Sequence, residues 1–199
     1  MSSAWVAEAL TAQMNSLSPR IRQAIANQAL FTPVIVGALS RLQQDLKAGH
    51  HEQVREGIAE LDDLLKLRFE PDFSELRHVW LFAGKNVRFD LARLRRKVVE
   101  AFKDDPVTAA AVTYGLDRLT ANLSTFDGWL ARALDARLQA ESPLERLQAD
   151  REAIEIIEGY LDFLGTDSLV SAIENNPFAP ANIQAPLTVT LTALAERLA

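Results

Sequence analysis

The chain has 199 residues, 48% of them hydrophobic, enough to bury a core in one large or two small domains and too apolar for the bulk to stay disordered. Asp and Glu outnumber Lys and Arg 27 to 21, a formal net charge of −6, so the molecule as a whole repels a polyanion and a nucleic-acid partner would need a local basic patch. There is no cysteine, which removes disulfides, thiolate metal sites and cysteine nucleophiles together.

At the amino terminus the first cation is Arg20, so the charged region that opens a secretory signal is missing, and no apolar run approaches the roughly 18 residues of a membrane span. The expectation is a soluble, cytoplasmic protein with no membrane role; export by a route without such a signal stays compatible with the sequence. Four times a Ser, Thr or Asp stands directly before a proline, at Ser18, Thr32, Asp105 and Ser142. An N-cap side chain accepts from free amides of the first turn, and proline in the next position loses nothing because its missing N–H has no partner there. Each of the four pairs predicts a helix start.

Apolar residues then recur at steps of three and four, which gathers them on one helical face. Ile35, Leu39, Leu42 and Leu46 form one seam, and Val54, Ile58, Leu61 and Leu65 form the next across "AGHH". Gly49 in that break suits the left-handed cap that ends a helix, predicting a tight antiparallel hairpin. The hairpin sequence resembles the second half of a tetratricopeptide unit with Gly49 at the turn. Val54 stands where that family has alanine, and no copy recurs one repeat length away, so no array is expected. A third seam runs Leu76, Trp80, Val87, Leu91, Leu94 and Val98, opened by Asp72 and Glu75 as a capping box. A fourth runs Val112, Leu116, Leu119, Leu123, Phe126 and Leu130. The fifth, Leu147, Ile154, Ile157, Leu161 and Leu164, ends at Gly165, and the last, Leu187, Leu191, Leu194 and Leu198, follows the proline-rich "NPFAPANIQAP".

Strand signals are nearly absent, since no Asn-Gly or Asp-Gly turn links alternating runs. The fold class is all-α: a bundle of about six to eight helices built from antiparallel hairpins, with two long central helices over about 72–103 and 106–140. Residues 1–199 read as a single domain, or as two hairpin-built halves meeting near 104–106.

Catalytic constellations are missing. Di-iron bundles use paired Glu-x-x-His motifs. Glu75 to His78 is one, but His50 and His51 have Lys47 and Ala48 three positions earlier. The adjacent Asp62 and Asp63 lack a further acid one turn on, because Leu64, Leu65, Lys66 and Leu67 follow, so no magnesium site is expected. There is no Gly-rich phosphate loop, no G-x-S-x-G and no H-E-x-x-H. The expectation is a protein without metal, cofactor or catalytic activity.

The most unusual stretch is "RFDLARLRRKVV", Arg88 to Val99, with five cations and one acid. On a helical wheel Arg88 and Arg95 flank the apolar seam, where their stems cover its edge, while Arg93 and Lys97 fall opposite it beside Asp90 and Glu100. His78, Phe82, Lys85, Phe89 and Arg96 make a separate stripe within about 60°. Alternating aromatics and cations are enriched at interface anchors, so these five are the candidate partner-binding residues. Residues 72–103 hold eight cations and four acids, +4, leaving −10 of the total −6 to the remaining chain. That polarity favours a protein partner, or self-association of the basic helix against an acidic face, over nucleic acid. The expected function is a non-catalytic protein–protein interaction protein: an adaptor, regulator or delivered effector. One alternative is a small-molecule binder or enzyme with an apolar inter-helix cavity lined by Trp80, Phe126 and Trp129; another is a nucleic-acid-binding regulator using the basic helix 77–103.

Overall fold

A computed structural model of the chain describes residues 3–27, 31–67 and 70–199. Among the described residues there are eight α-helices and no strand: α1 (Ser3–Asn27), α2 (Thr32–Ala48), α3 (His51–Leu64), α4 (Phe73–Ala101), α5 (Pro106–Gln139), α6 (Pro143–Thr166), α7 (Ser168–Glu174) and α8 (Gln184–Leu198). The all-α bundle and its two long helices, α4 and α5, are as the apolar periodicity requires. No helix among these residues is long and apolar enough to cross a membrane.

The chain divides into two compact units, 1–86 and 87–199. The division falls inside α4 rather than at 104–106, because a turn in the chain does not by itself separate two cores. Asp105 there caps α5, its carboxylate accepting from the Thr108 amide at 3.1 Å, and α5 packs within the same unit as the last turns of α4.

In the first unit α1, α2 and α3 pack on one another, burying Leu10, Leu17 and Ile21 of α1 with Ile35, Leu42, Val54 and Leu61. Gly49 ends α2 at φ 75°. Its amide donates to Leu46 O at 3.1 Å, and the His50 amide donates to Asp45 O at 2.9 Å. This is the paired closure that satisfies the last free carbonyls of a helix. The predicted hairpin follows, and it is tight: a Cβ on Gly57 of α3 would stand 2.6 Å from Leu42 Cδ2 of α2.

One expected helix start is not used, and another is used without its cap. Pro19 lies inside α1, which runs unbroken from Ser3. Leu10 before the proline and Leu17 and Ile21 around it are all buried, and burial of a continuous face offsets the hydrogen bond that proline removes. Thr32 is the first residue of α2, not its cap; Phe31 precedes it, buried, and among the described residues no side chain caps this end.

In the second unit α5 and α6 pair antiparallel, α8 lies on α6, and α7 lies on α5. Ser142 opens α6 with a full capping box, its hydroxyl accepting from the Glu145 amide while the Glu145 carboxylate accepts from the Ser142 amide. Because α6 has two helical neighbours, its buried positions are Ala149, Ala153, Ile157, Tyr160 and Leu164, and Leu147 of the expected seam is exposed. Gly165 does not end it: α6 continues to Thr166, and Asp167 caps α7 by accepting from the Leu169 amide at 2.7 Å. Seven residues are too few to show a helical period, which is why α7 is not legible in the sequence.

The proline-rich connection after α7 is irregular but fastened. The Asn176 side chain donates to Ile173 O and Ala179 O and accepts from the amides of Phe178 and Ala179. Glu174 accepts from the Ile183 and Gln184 amides at 2.7 and 2.8 Å, supplying from a distance the cap that α8 lacks locally. Helix α8 docks on its own chain with Leu187, Leu191, Leu194 and Leu198 buried.

Candidate functional site

The five residues of the expected α4 stripe do not make one exposed surface. His78 and Arg96 are exposed, Phe89 is half-buried, and Phe82 is only 5% exposed, part of the first unit's core. Lys85 is exposed but engaged, paired with Glu60 of α3. His78, Phe82 and Lys85 belong to the first unit, Phe89 and Arg96 to the second. A helix of 29 residues that buries a broad face leaves little room for a second aromatic stripe in solvent.

The other cations of α4 are mostly spoken for. Arg88 pairs with Asp127 and Arg95 with Asp117 of α5, the latter at 2.9 Å. Lys97 pairs with Glu100 at 2.9 Å. Arg93, placed opposite the seam by the wheel, is nearly buried, facing Asp90 at 3.3 Å and donating to Pro180 O. The connection after α7 folds over that side of α4, which no helical wheel records. The sequence pairs with metal-like spacing are also accounted for. Glu75 accepts from the Asp72 amide as Asp72 accepts from the Glu75 amide. Lys66 and Arg20 bond to Asp62 and hold its carboxyl below the ordinary range.

Two polar clusters lie deeper. In the first unit Arg41 of α2 donates to Asn86 Oδ1 at 3.0 Å and stands 3.7 Å from Asp45 and 3.6 Å from Glu60. In the second unit Asp127 of α5 takes Arg88 on one oxygen and the Tyr160 hydroxyl, at 3.2 Å, on the other. Burial raises the Asp127 carboxyl above the usual range despite Arg88, and burial with Asp127 nearby pushes the Tyr160 hydroxyl well above its own. The tyrosine therefore stays a proton donor and the trio pins α4, α5 and α6 together within the unit.

A carboxyl whose folded pKa is raised binds its proton more tightly folded than unfolded, so its contribution to stability grows as pH falls through the folded pKa and levels off below the unfolded one. Asp127→Asn removes that term. Relative to wild type, the variant's urea midpoint should be more favourable at about pH 7 than at a pH below the ordinary carboxylate value of 3.8; a difference independent of pH across that whole range would show that Asp127 ionises as it does in the unfolded chain.

Above this trio sits the feature that wheel reasoning on α4 misses. Phe126 stacks on Tyr160 at 4.8 Å and 14°, lies 5.3 Å from Phe163, and meets Trp129 edge-to-face at 5.5 Å and 79°. Trp129 is thereby held from below while 45% of it faces solvent. It borders an open depression of about 490 Å³ with Arg132, Glu152, Glu155 and Ile156. Arg132 turns its Nε onto Gly128 O at 3.2 Å. Glu152 and Glu155 are exposed and, among the described residues, make no ion pair. The same helix exposes Glu158 and Asp162; α6 holds six acids and two cations, a net −4. Its acids at 152, 155, 158 and 162 have helical spacing, a signal the sequence carried and the basic stretch overshadowed. Comparison with protein-family models, curated proteins and solved structures finds no match to this chain.

Proposed function

We propose that this chain is a non-catalytic interaction protein, an adaptor, regulator or delivered effector, that docks a basic segment of a protein partner on the α5–α6 face of its second unit. The carrying observation is a half-exposed Trp129, braced by Phe126 and flanked by two unpaired carboxylates. An indole fixed before binding gives up little conformational entropy when a partner covers it, which is what interface anchors do. Its free face suits a guanidinium or ammonium group, an attraction of about 0.5–2 kcal/mol that strengthens as water leaves. Glu152 and Glu155 add the opposite charge that steers a basic segment in and fixes its register. The net −4 of α6 works against a phosphate backbone at this face.

Glu152→Lys with Glu155→Lys, and separately Trp129→Ala, test the reading. The charge reversals should alter stability by no more than about 1 kcal/mol, and Trp129→Ala, which gives up its contact with Phe126, by about 1–3 kcal/mol without unfolding the chain. Each should abolish recovery of a basic partner by the tagged protein from its native cells, and recovery by wild type should fall steeply between low and high salt. If the charge-reversed protein recovers the same partner in the same amount, the α5–α6 face is not the docking surface.

A further inference from the structure

A separate cavity lies within the second unit, and the geometry points to a binding site for a small apolar organic molecule there, a fused aromatic or branched hydrocarbon of about ten carbons. It does not depend on the partner reading above. Its walls are Leu94 and Val98 of α4, Val112 and Leu116 of α5, and Leu169 and Ile173 of α7, around about 250 Å³. The room exists because three further lining positions are small: Ala111, Gly115 and Ala172. A Cβ on Gly115 would sit 3.6 Å from Leu169 Cδ2, in ordinary contact, so any longer side chain there would project into the space.

The chemistry of the lining selects the ligand. Asn176 is the one amide in it, and its groups are all committed: Nδ2 to Ile173 O at 2.6 Å and Ala179 O at 2.9 Å, Oδ1 from the amides of Phe178 at 2.8 Å and Ala179 at 3.0 Å. Nothing is left to bond a hydroxyl, a carboxylate or a cluster of waters. The cleft is open to solvent along Ala111, Val112, Ala172 and Phe178, but water in it finds no free polar partner, which favours an apolar guest; since about 150 Å³ accommodates benzene, some 250 Å³ accommodates roughly ten carbons. Entry is open beside Val112 and Phe178, each 37% exposed. The volume lies below the range of drug-sized ligand pockets, roughly 300–1,000 Å³, which limits the guest to one compact apolar group.

Naphthalene serves as the probe, titrated into the full chain with methyl resonances observed by NMR. Saturable shifts confined to the methyls that line the cleft, those of Leu94, Val98, Val112, Leu116, Leu169 and Ile173 foremost, are expected. Ala172→Leu and Gly115→Leu should each weaken that binding at least tenfold while leaving the denaturation midpoint equal or higher, since they fill space rather than make it. Absence of saturable shifts in wild type, shifts centred on Trp129 instead, or undiminished affinity in both filled variants overturns the site. Loss of partner capture in the α6 variants leaves these results unaffected, so the two readings fail separately.

Discussion

Removal of residues 186–199 should leave a protein that aggregates. The segment takes away Leu187, Leu191, Leu194 and Leu198, all buried, and uncovers the α6 face on which α8 lies. Each fully buried leucine contributes about 1.5–3 kcal/mol, so four of them rival the whole stability of an ordinary domain, about 5–15 kcal/mol. The newly bared apolar patch then promotes association. Gln184, whose side chain donates to Leu164 O, stays behind and is too little to hold the end of α6. Size-exclusion chromatography and far-ultraviolet circular dichroism measure the outcome; a monomeric truncation with an unchanged denaturation midpoint would show that α8 is dispensable to the core.

Arg41→Leu should cost about 3–5 kcal/mol, the usual consequence of removing one member of a buried ion cluster. Arg41 is 4% exposed and Asp45 2%. Asp45 Oδ2 already lacks a hydrogen bond, as do Glu60 Oε2 and Asn86 Nδ2. With the guanidinium gone, the buried Asp45 carboxylate keeps, among the described residues, only His50 Nδ1 at 3.3 Å, and Asn86 Oδ1 loses the Arg41 donor. Adding Asp45→Asn in the same chain removes the stranded charge and should restore part of the loss. Guanidinium denaturation of the single and double variants checks this. A double variant as unstable as the single would mean that the penalty comes from lost packing of the arginine stem and not from the orphaned charge.

The helix ends that were legible have their partners within four residues. Gly49, Asp72 with Glu75, Asp105 and Ser142 all cap as their side chains and spacing require, because each cap is a bond between a residue and the turn beside it. The same chemistry at Ser18 announces a helix start that the structure does not use, while at Thr32 the helix starts where announced but without the side-chain cap. A cap motif permits a helix to begin; whether it must depends on what covers the residues before it, and the burial of Leu10, Leu17 and Ile21 carries α1 straight through Pro19.

Helical class, hairpin turns and the two long helices follow from the sequence by itself, since apolar periodicity and capping are properties of neighbouring residues. What each face touches was decided only by tertiary structure. Phe82 and Trp129 read alike as aromatics on long helices, yet Phe82 fills the first unit's core while Trp129 stands in solvent on an aromatic base contributed partly by α6. Arg93 loses its water to a connection some ninety positions later in the chain. The apolar cavity arises because Ala111, Gly115 and Ala172, small for no locally visible reason, come to face one space. A period says that a face is apolar or charged; only the long-range packing of the chain determines whether another helix, a ligand or water meets it.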